Sequence, residues 1–200
     1  MDKKTVVLCD DHNIVRAGLR QIVESFGDFE VLDDVSSGEA LFPLFMKQVP
    51  DVLLLDISLP GRSGLEVLKQ IQSMYPQIAV LALSMYPEDQ FAIRMVKAGA
   101  RGYLHKDSAP HVLEDAMRTI VSGKQYISAE LTRLMIEEMA KDDNDLPHKN
   151  LSDREYEVLL FIGEGKSMTD IAAQLSLSIK TVSTYRSRIL EKMRLKSNSD

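Results

Sequence analysis

A chain of 200 residues, 44% of them hydrophobic, has material for one or two cored domains. Its single cysteine, Cys9, excludes an internal disulfide and fits a reducing compartment. No apolar run approaches the ~20 residues that cross a bilayer and no signal peptide is evident, so the expectation is a cytoplasmic protein without membrane partners. The net charge of −6 hides an asymmetry. Residues 178–196 carry six Lys/Arg against Glu191 alone, a basic stripe on an otherwise acidic chain, which points to a local polyanion contact.

Apolar runs over 4–9, 30–35, 51–56, 78–83 and 101–105 predict strands. Residues 12–26, 37–49, 63–75, 88–99 and 109–123 predict the helices between them. In the first helix Val15, Leu19, Ile22, Val23 and Phe26 share one buried face. The alternation is that of an α/β doubly wound parallel sheet. Five strands make the (βα)5 flavodoxin-like order the natural expectation, with its ligand site at the carboxyl ends of the strands. Residues 128–140 predict a further helix, striped by Leu131, Leu134, Met135 and Met139. The polar, charged run 141–150 reads as an interdomain linker. Beyond it the pattern is all-helical. Ser152-Asp153-Arg154-Glu155 is a capping box opening a helix that Gly165 ends. Ser167 opens a short helix through Leu175, and Ser178 caps a third through about Met193. Two helices across a tight Ser-Leu-Ser turn are a helix-turn-helix. The expected division is 1–125, a linker helix and linker over 126–150, and a small all-α domain over 151–200.

Chemistry gathers at the strand ends. Asp56 follows the apolar run Val52-Leu53-Leu54-Leu55 and precedes Pro60-Gly61, while Asp10 and Asp11 end the first strand. Three converging carboxylates repel one another unless a cation lies among them, and hard oxygen ligands suit Mg²⁺ or Mn²⁺. Asp56 is then free to act as a nucleophile toward phosphorus. Ser84 ends the fourth strand and Lys106 the fifth; a hydroxyl and an ammonium bind phosphoryl oxygens. His12 and His105 flank the site and read as non-catalytic. Arg16 and Arg94 read as solvated helix charges, and Met85 and Met95 as packing.

With Cys9-Asp10-Asp11-His12, Leu55-Asp56-Ile57-Ser58-Leu59-Pro60-Gly61, Leu83-Ser84-Met85 and Gly102-Tyr103-Leu104-His105-Lys106 in place, residues 4–124 resemble the receiver domain of two-component response regulators. Residues 151–197 resemble the LuxR-type helix-turn-helix, and the whole resembles the NarL/FixJ family. The resemblance implies that Asp56 is the phosphoacceptor, served by a sensor histidine kinase or small phosphodonors. Asp10, Asp11, Asp56 and the backbone carbonyl of Ser58 are the implied metal ligands. Lys106 is implied to hold the phosphoryl group, with Ser84 and Tyr103 as the switch pair. It implies no enzyme beyond self-directed phosphoryl transfer and autodephosphorylation. Asp107 stands where many receivers have proline, and a cis bond there costs about 3 kcal/mol for a non-proline residue. The haloacid dehalogenases share an Asp nucleophile but need a second acid two residues on, where this chain has Ser58.

On the last predicted helix, Val182, Tyr185, Ile189 and Met193 form the inward stripe. By family resemblance Ser183, Thr184 and Ser187 face bases, and Lys180, Thr181, Arg186 and Arg188 face phosphates of promoter DNA. Phosphorylation is implied to open a masked recognition helix and to favour a homodimer on two half-sites. The family's fourth helix, a dimer contact, is expected to begin about where this sequence stops. A protein-interaction module that no longer binds DNA and a freestanding metal-dependent phosphatase are the competing readings.

Overall fold

A computed structural model describes residues 3–140 and 150–197. The chain divides between Glu138 and Met139 into two compact units.

The first unit is a five-stranded parallel sheet: β1 (Lys4–Cys9), β2 (Phe29–Val35), β3 (Val52–Asp56), β4 (Ala79–Ser84) and β5 (Gly102–His105). Their order is β2-β1-β3-β4-β5. It reverses direction between β1 and β3, and such a switch point opens a crevice at the carboxyl ends. Every residue of β3 and β4 is buried. Sheets covered on both faces demand this, which is why these strands read as unbroken apolar runs.

Five helices make the crossovers: α1 (Asn13–Ser25), α2 (Gly38–Phe45), α3 (Gly64–Met74), α4 (Glu88–Lys97) and α5 (Pro110–Val121). One core layer joins Val6, Leu8, Leu54 and Leu81 to Val23 of α1 and to Leu113, Met117 and Ile120 of α5. The alternate residues Val7, Leu53, Leu55 and Val80 project to the opposite face and are equally buried. Burying each such side chain contributes about 1.5–3 kcal/mol over exposing it. α2 ends four residues before its predicted limit. Met46 is 83% exposed and so has no packing to hold another turn. Val49 precedes Pro50, which disfavours the helical region for it.

The predicted helix over 128–140 is α6 (Ala129–Met139), and it belongs with the first unit through Glu138. Leu131 is buried, Ser128 Oγ accepts from the Leu131 N–H at 2.9 Å, and Lys97 of α4 pairs with Glu138 at 2.6 Å. Residues 141–149, where the linker is expected, lie outside the described residues.

The second unit holds α7 (Asp153–Gly163), α8 (Met168–Gln174) and α9 (Ile179–Met193) around Val158, Phe161, Ile171, Val182 and Ile189. Ser152 and Ser167 both close capping boxes, and Ser178 Oγ accepts from the Thr181 N–H at 3.0 Å. Ser176 takes a positive φ of 53° to turn α8 into α9. Glu155 has two tasks. It accepts from the Ser152 N–H at 2.7 Å and pairs with Lys192 of α9 at 2.6 Å. Burial pushes its carboxyl pKa up, but the Lys192 ammonium and the Ser152 donors outweigh that and leave it below the usual range. A lowered acid contributes stability that is present above its unfolded pKa, about 4.3, and is lost as pH falls through the folded value. Glu155→Gln is therefore expected to cost about 1–2 kcal/mol at pH 7 and to flatten the acid limb. Hydrogen-exchange protection of α7 and α9 across pH measures both effects.

Candidate functional site

Parallel strands bring their carboxyl ends to one edge. Asp10 lies one residue past β1, Asp56 closes β3, Ser84 closes β4 and Lys106 follows β5, so four separated segments meet there. Gly64 permits the closeness of α3. A Cβ on it would stand 2.4 Å from the Asp56 carbonyl oxygen and 2.5 Å from Ile57 Cα. Gly61, at φ +76°, makes the turn after Pro60.

The side chains of Asp10 and Asp56 are almost wholly buried, and that of Lys106 is 9% exposed. Asp56 Oδ2 accepts from Lys106 Nζ at 2.7 Å, and Asp56 Oδ1 from the Ser58 N–H at 3.0 Å. Lys106 Nζ also lies 2.7 Å from Asp10 Oδ2, a second ion pair. Asp10 Oδ1 accepts from the His12 N–H at 2.8 Å. Burial pushes the Asp56 carboxyl pKa up, and Asp10 adds to this; the Lys106 ammonium and the Ser58 N–H only partly offset them. Burial alone would lower the Lys106 pKa, but Asp56 and Asp10 outweigh it, so it stays above the ordinary lysine value and remains charged.

The pocket fits a divalent cation. Asp10 and Asp56 are buried carboxylates that share the Lys106 ammonium, and Asp11 stands beside them, an excess of negative charge that a cation relieves. Asp10, Asp11, His12 and Asp56 bring ligand atoms within 4.8 Å of one another, and the three carboxylates form a hard-oxygen donor set. His12 Nδ1 lies 2.7 Å from Asp11 Oδ1.

Beside the pocket, Ser84 Oγ accepts from the Tyr86 N–H at 2.8 Å, and the Tyr103 hydroxyl donates to the Tyr86 carbonyl at 2.7 Å. Tyr103 is buried, and burial pushes its phenol pKa up, so it stays a neutral donor. His105 Nε2 is 2.9 Å from the Met85 carbonyl and its Nδ1 accepts from the Asp107 N–H, which assigns the proton to Nε2. Two β5 side chains thus hold the loop after β4. The peptide after Lys106 is trans, and the Lys106 N–H donates to the Ser84 carbonyl at 2.7 Å.

The sequence reading missed three members of this neighbourhood. Tyr86 acts through its backbone, which side-chain identity cannot reveal. His105 bridges loops that are distant in sequence. Arg16, expected to be a solvated charge, is 13% exposed and fully engaged. Its Nη1 donates to the Asp10 carbonyl, its Nη2 to Asn13 Oδ1, both at 2.6 Å, and its Nε to Asp34 Oδ2 at 2.8 Å.

On α9, Lys180, Ser183, Thr184, Ser187 and Arg188 are exposed, and Thr181 and Arg186 are half-buried. Thr184 and Ser187 hydroxyls donate to the carbonyls of Lys180 and Ser183 one turn back, which leaves their lone pairs outward. Tyr185 departs from its predicted inward position. It is half-exposed and lines a groove with Ser178, Lys180, Thr181, Thr184 and Arg188. Val182 and Ile189 alone of that stripe are fully buried.

Residues 6–118 match the family described as response regulator receiver domain, and residues 149–200 match bacterial regulatory proteins, luxR family. The response regulator UvrY of Escherichia coli K12 is 34% identical over 191 residues, covering 95% of this chain and 88% of UvrY. The oxygen regulatory protein NreC of Staphylococcus carnosus is 34% identical over 203 residues, covering 98% of this chain and 93% of NreC. Among solved structures, RcsB of Salmonella enterica serovar Typhimurium, bound to promoter rprA with phosphomimetic BeF3−, aligns at a TM-score of 0.66 and 27% identity over 98% of this chain and 95% of that one. A parallel sheet that gathers buried acids and a lysine at its carboxyl edge, followed by a helix-turn-helix with a basic exposed face, matches these relatives along nearly its whole length: the chain belongs to the NarL/FixJ family of two-component response regulators, transcriptional regulators with a receiver and a LuxR-type DNA-binding domain.

Proposed function

We propose that Asp56 is the phosphoacceptor and that its state controls DNA binding by the second unit. The observation that carries this is the pairing of Asp56 Oδ2 with Lys106 Nζ, an ammonium shared with the buried Asp10 carboxylate, with Asp11 alongside. Asp10, Asp11, Asp56 and the Ser58 carbonyl would hold Mg²⁺ or Mn²⁺, which when bound supplies charge neutralisation for phosphoryl oxygens. The donor is the phosphohistidine of a sensor histidine kinase, with small acyl phosphates as substitutes. A carboxylate oxygen of Asp56 forms the new O–P bond while the P–N bond of the donor breaks, and its electron pair stays on the imidazole nitrogen. Lys106 turns from Asp56 to a phosphoryl oxygen, keeping its charge paired. Ser84 exchanges the Tyr86 N–H for a phosphoryl oxygen, and the loop carrying Tyr86 responds together with Tyr103. The modified chain forms a homodimer on promoter DNA. Ser183, Thr184 and Ser187 read base edges, while Lys180, Thr181, Arg186 and Arg188 meet phosphates. The relative RcsB, solved on promoter rprA in the presence of phosphomimetic BeF3−, supports DNA binding in a phosphorylated-like state.

Intact mass after acetyl phosphate with Mg²⁺ tests the receiver half; an unmodified chain sinks it. For the DNA half, Lys180→Ala and Arg188→Ala are each expected to weaken promoter binding across sequences. Each should also reduce the slope of log affinity against log salt by about 0.9, the signature of one lost phosphate contact. Unchanged slopes place both residues off the DNA backbone.

A further inference from the structure

We infer that Arg16 is a positioning residue for the acidic pocket, the group that fixes the Asp10 peptide so that its carboxylate addresses the cation. The inference rests on the cation-binding reading of that pocket.

The contacts come first. Asp10 lies beyond the end of β1, where ladder pairing runs out: its N–H still reaches the Val35 carbonyl at 3.1 Å, but the β1–β3 register stops at Cys9. Its carbonyl is taken by Arg16 Nη1 at 2.6 Å. The same guanidinium spans to Asp34 Oδ2 near the end of β2 and to Asn13 Oδ1 in the first turn of α1. One rigid planar fork thus ties together the carboxyl ends of β1 and β2 and the start of α1. A lysine, a single point donor on a flexible stem, cannot hold three acceptors in those directions.

The position of Asp10 matters because its two carboxylate oxygens are committed differently. Oδ1 takes the His12 N–H, and Oδ2 faces the Lys106 ammonium at 2.7 Å. A rotation of the Asp10 peptide would redirect both. Groups that orient metal ligands from outside commonly govern affinity by 10- to 100-fold.

The neighbouring Arg20 supplies an internal control. It pairs with the other oxygen of the same Asp34 at 2.6 Å and donates to the Val31 carbonyl at 3.1 Å. The two arginines together hold the Asp34 carboxyl below its usual pKa range, Arg20 contributing the larger part. None of the Arg20 contacts is to Asp10. A purely structural role in the α1–β2 junction is therefore shared by both arginines, whereas the Asp10 carbonyl belongs to Arg16.

The test compares Arg16→Lys and Arg20→Lys in the full chain. Both keep the charge, so a change in cation affinity reports geometry rather than Coulomb attraction. Mn²⁺ affinity is read by electron paramagnetic resonance, and acetyl-phosphate modification is followed against Mg²⁺ concentration. Arg16→Lys is expected to weaken Mn²⁺ binding about tenfold and to raise the half-saturating Mg²⁺ by a similar factor, leaving the rate at saturating Mg²⁺ near that of the wild type. Arg20→Lys is expected to lower thermal stability without moving either constant. Equal Mn²⁺ affinity in wild type and Arg16→Lys overturns the proposal, as does an equal loss in both variants. A wild-type chain that binds no Mn²⁺ overturns the cation reading itself, and that result is separate because it precedes any comparison of variants.

Discussion

Asp56→Asn is expected to abolish modification by acetyl phosphate and, in the absence of divalent cations, to make the receiver more stable. The first outcome follows because an amide oxygen is a far poorer nucleophile toward phosphorus than a carboxylate, and Asp56 is the carboxylate proposed to accept the group. The second follows from the sign of the titration. Burial raises the Asp56 pKa in the folded state above its ordinary value. A raised acid binds more protons in the native than in the unfolded chain, so stability falls as pH rises through the interval between the two values. Above the folded value the wild type carries that cost in full, while asparagine, nearly the same shape and uncharged, does not. The thermal midpoint should rise by about 2–4 °C for each kcal/mol recovered, in a chain of this size. Adding Mg²⁺ should narrow the gap, because a cation stabilises the charged carboxylate only in the wild type. Melting curves in EDTA and in Mg²⁺ decide it. A variant less stable than wild type in EDTA would mean that the Lys106 pair outweighs the burial cost.

Much of this was legible in residue pattern. The apolar runs over 52–55 and 78–83 and the stretch Gly102-Tyr103-Leu104-His105 point Asp56, Ser84 and Lys106 to strand ends from sequence alone. Strand order came only by analogy, because periodicity reports burial and not neighbours. The capping boxes at Ser152 and Ser167 were readable because they are local, bonding side chain to backbone three residues away. What stayed hidden was non-local. Arg16 on α1 looks like any helix arginine until β2 brings Asp34 beside it. His105 looks like an edge-strand polar residue until the loop after β4 offers the Met85 carbonyl. Tyr185 fits an inward helical stripe by spacing, yet the residue is half-exposed along the groove. The end of α2 needed the exposure of Met46 as well as the proline that follows Val49.

Lys106→Met should separate the two uses of the acidic pocket. The ammonium now neutralises Asp56 and Asp10 at 2.7 Å from each. Removing one partner of a buried ion pair while leaving the other costs about 3–5 kcal/mol, and here two carboxylates are left. In EDTA the variant is therefore expected to be the least stable of the substitutions considered, and to regain stability as Mg²⁺ is added. A cation and the ammonium compete for the same oxygens, so loss of the ammonium should tighten Mg²⁺ binding at least about tenfold. Unit charges about 4 Å apart interact by several kcal/mol near a protein surface, which makes that factor modest. Phosphorylation should move the other way. The side chain proposed to take the phosphoryl oxygens on Asp56 is then gone, and loss of one such donor typically slows a reaction by about 10²–10³. Tighter Mg²⁺ binding together with slower modification is a combination that simple unfolding cannot produce, because unfolding weakens both. Calorimetric titration with Mg²⁺ and the time course of acetyl-phosphate modification give the two numbers. If Mg²⁺ affinity is unchanged in Lys106→Met, the ammonium and the cation occupy separate places, and the account of Lys106 turning from carboxylate to phosphoryl group fails with it.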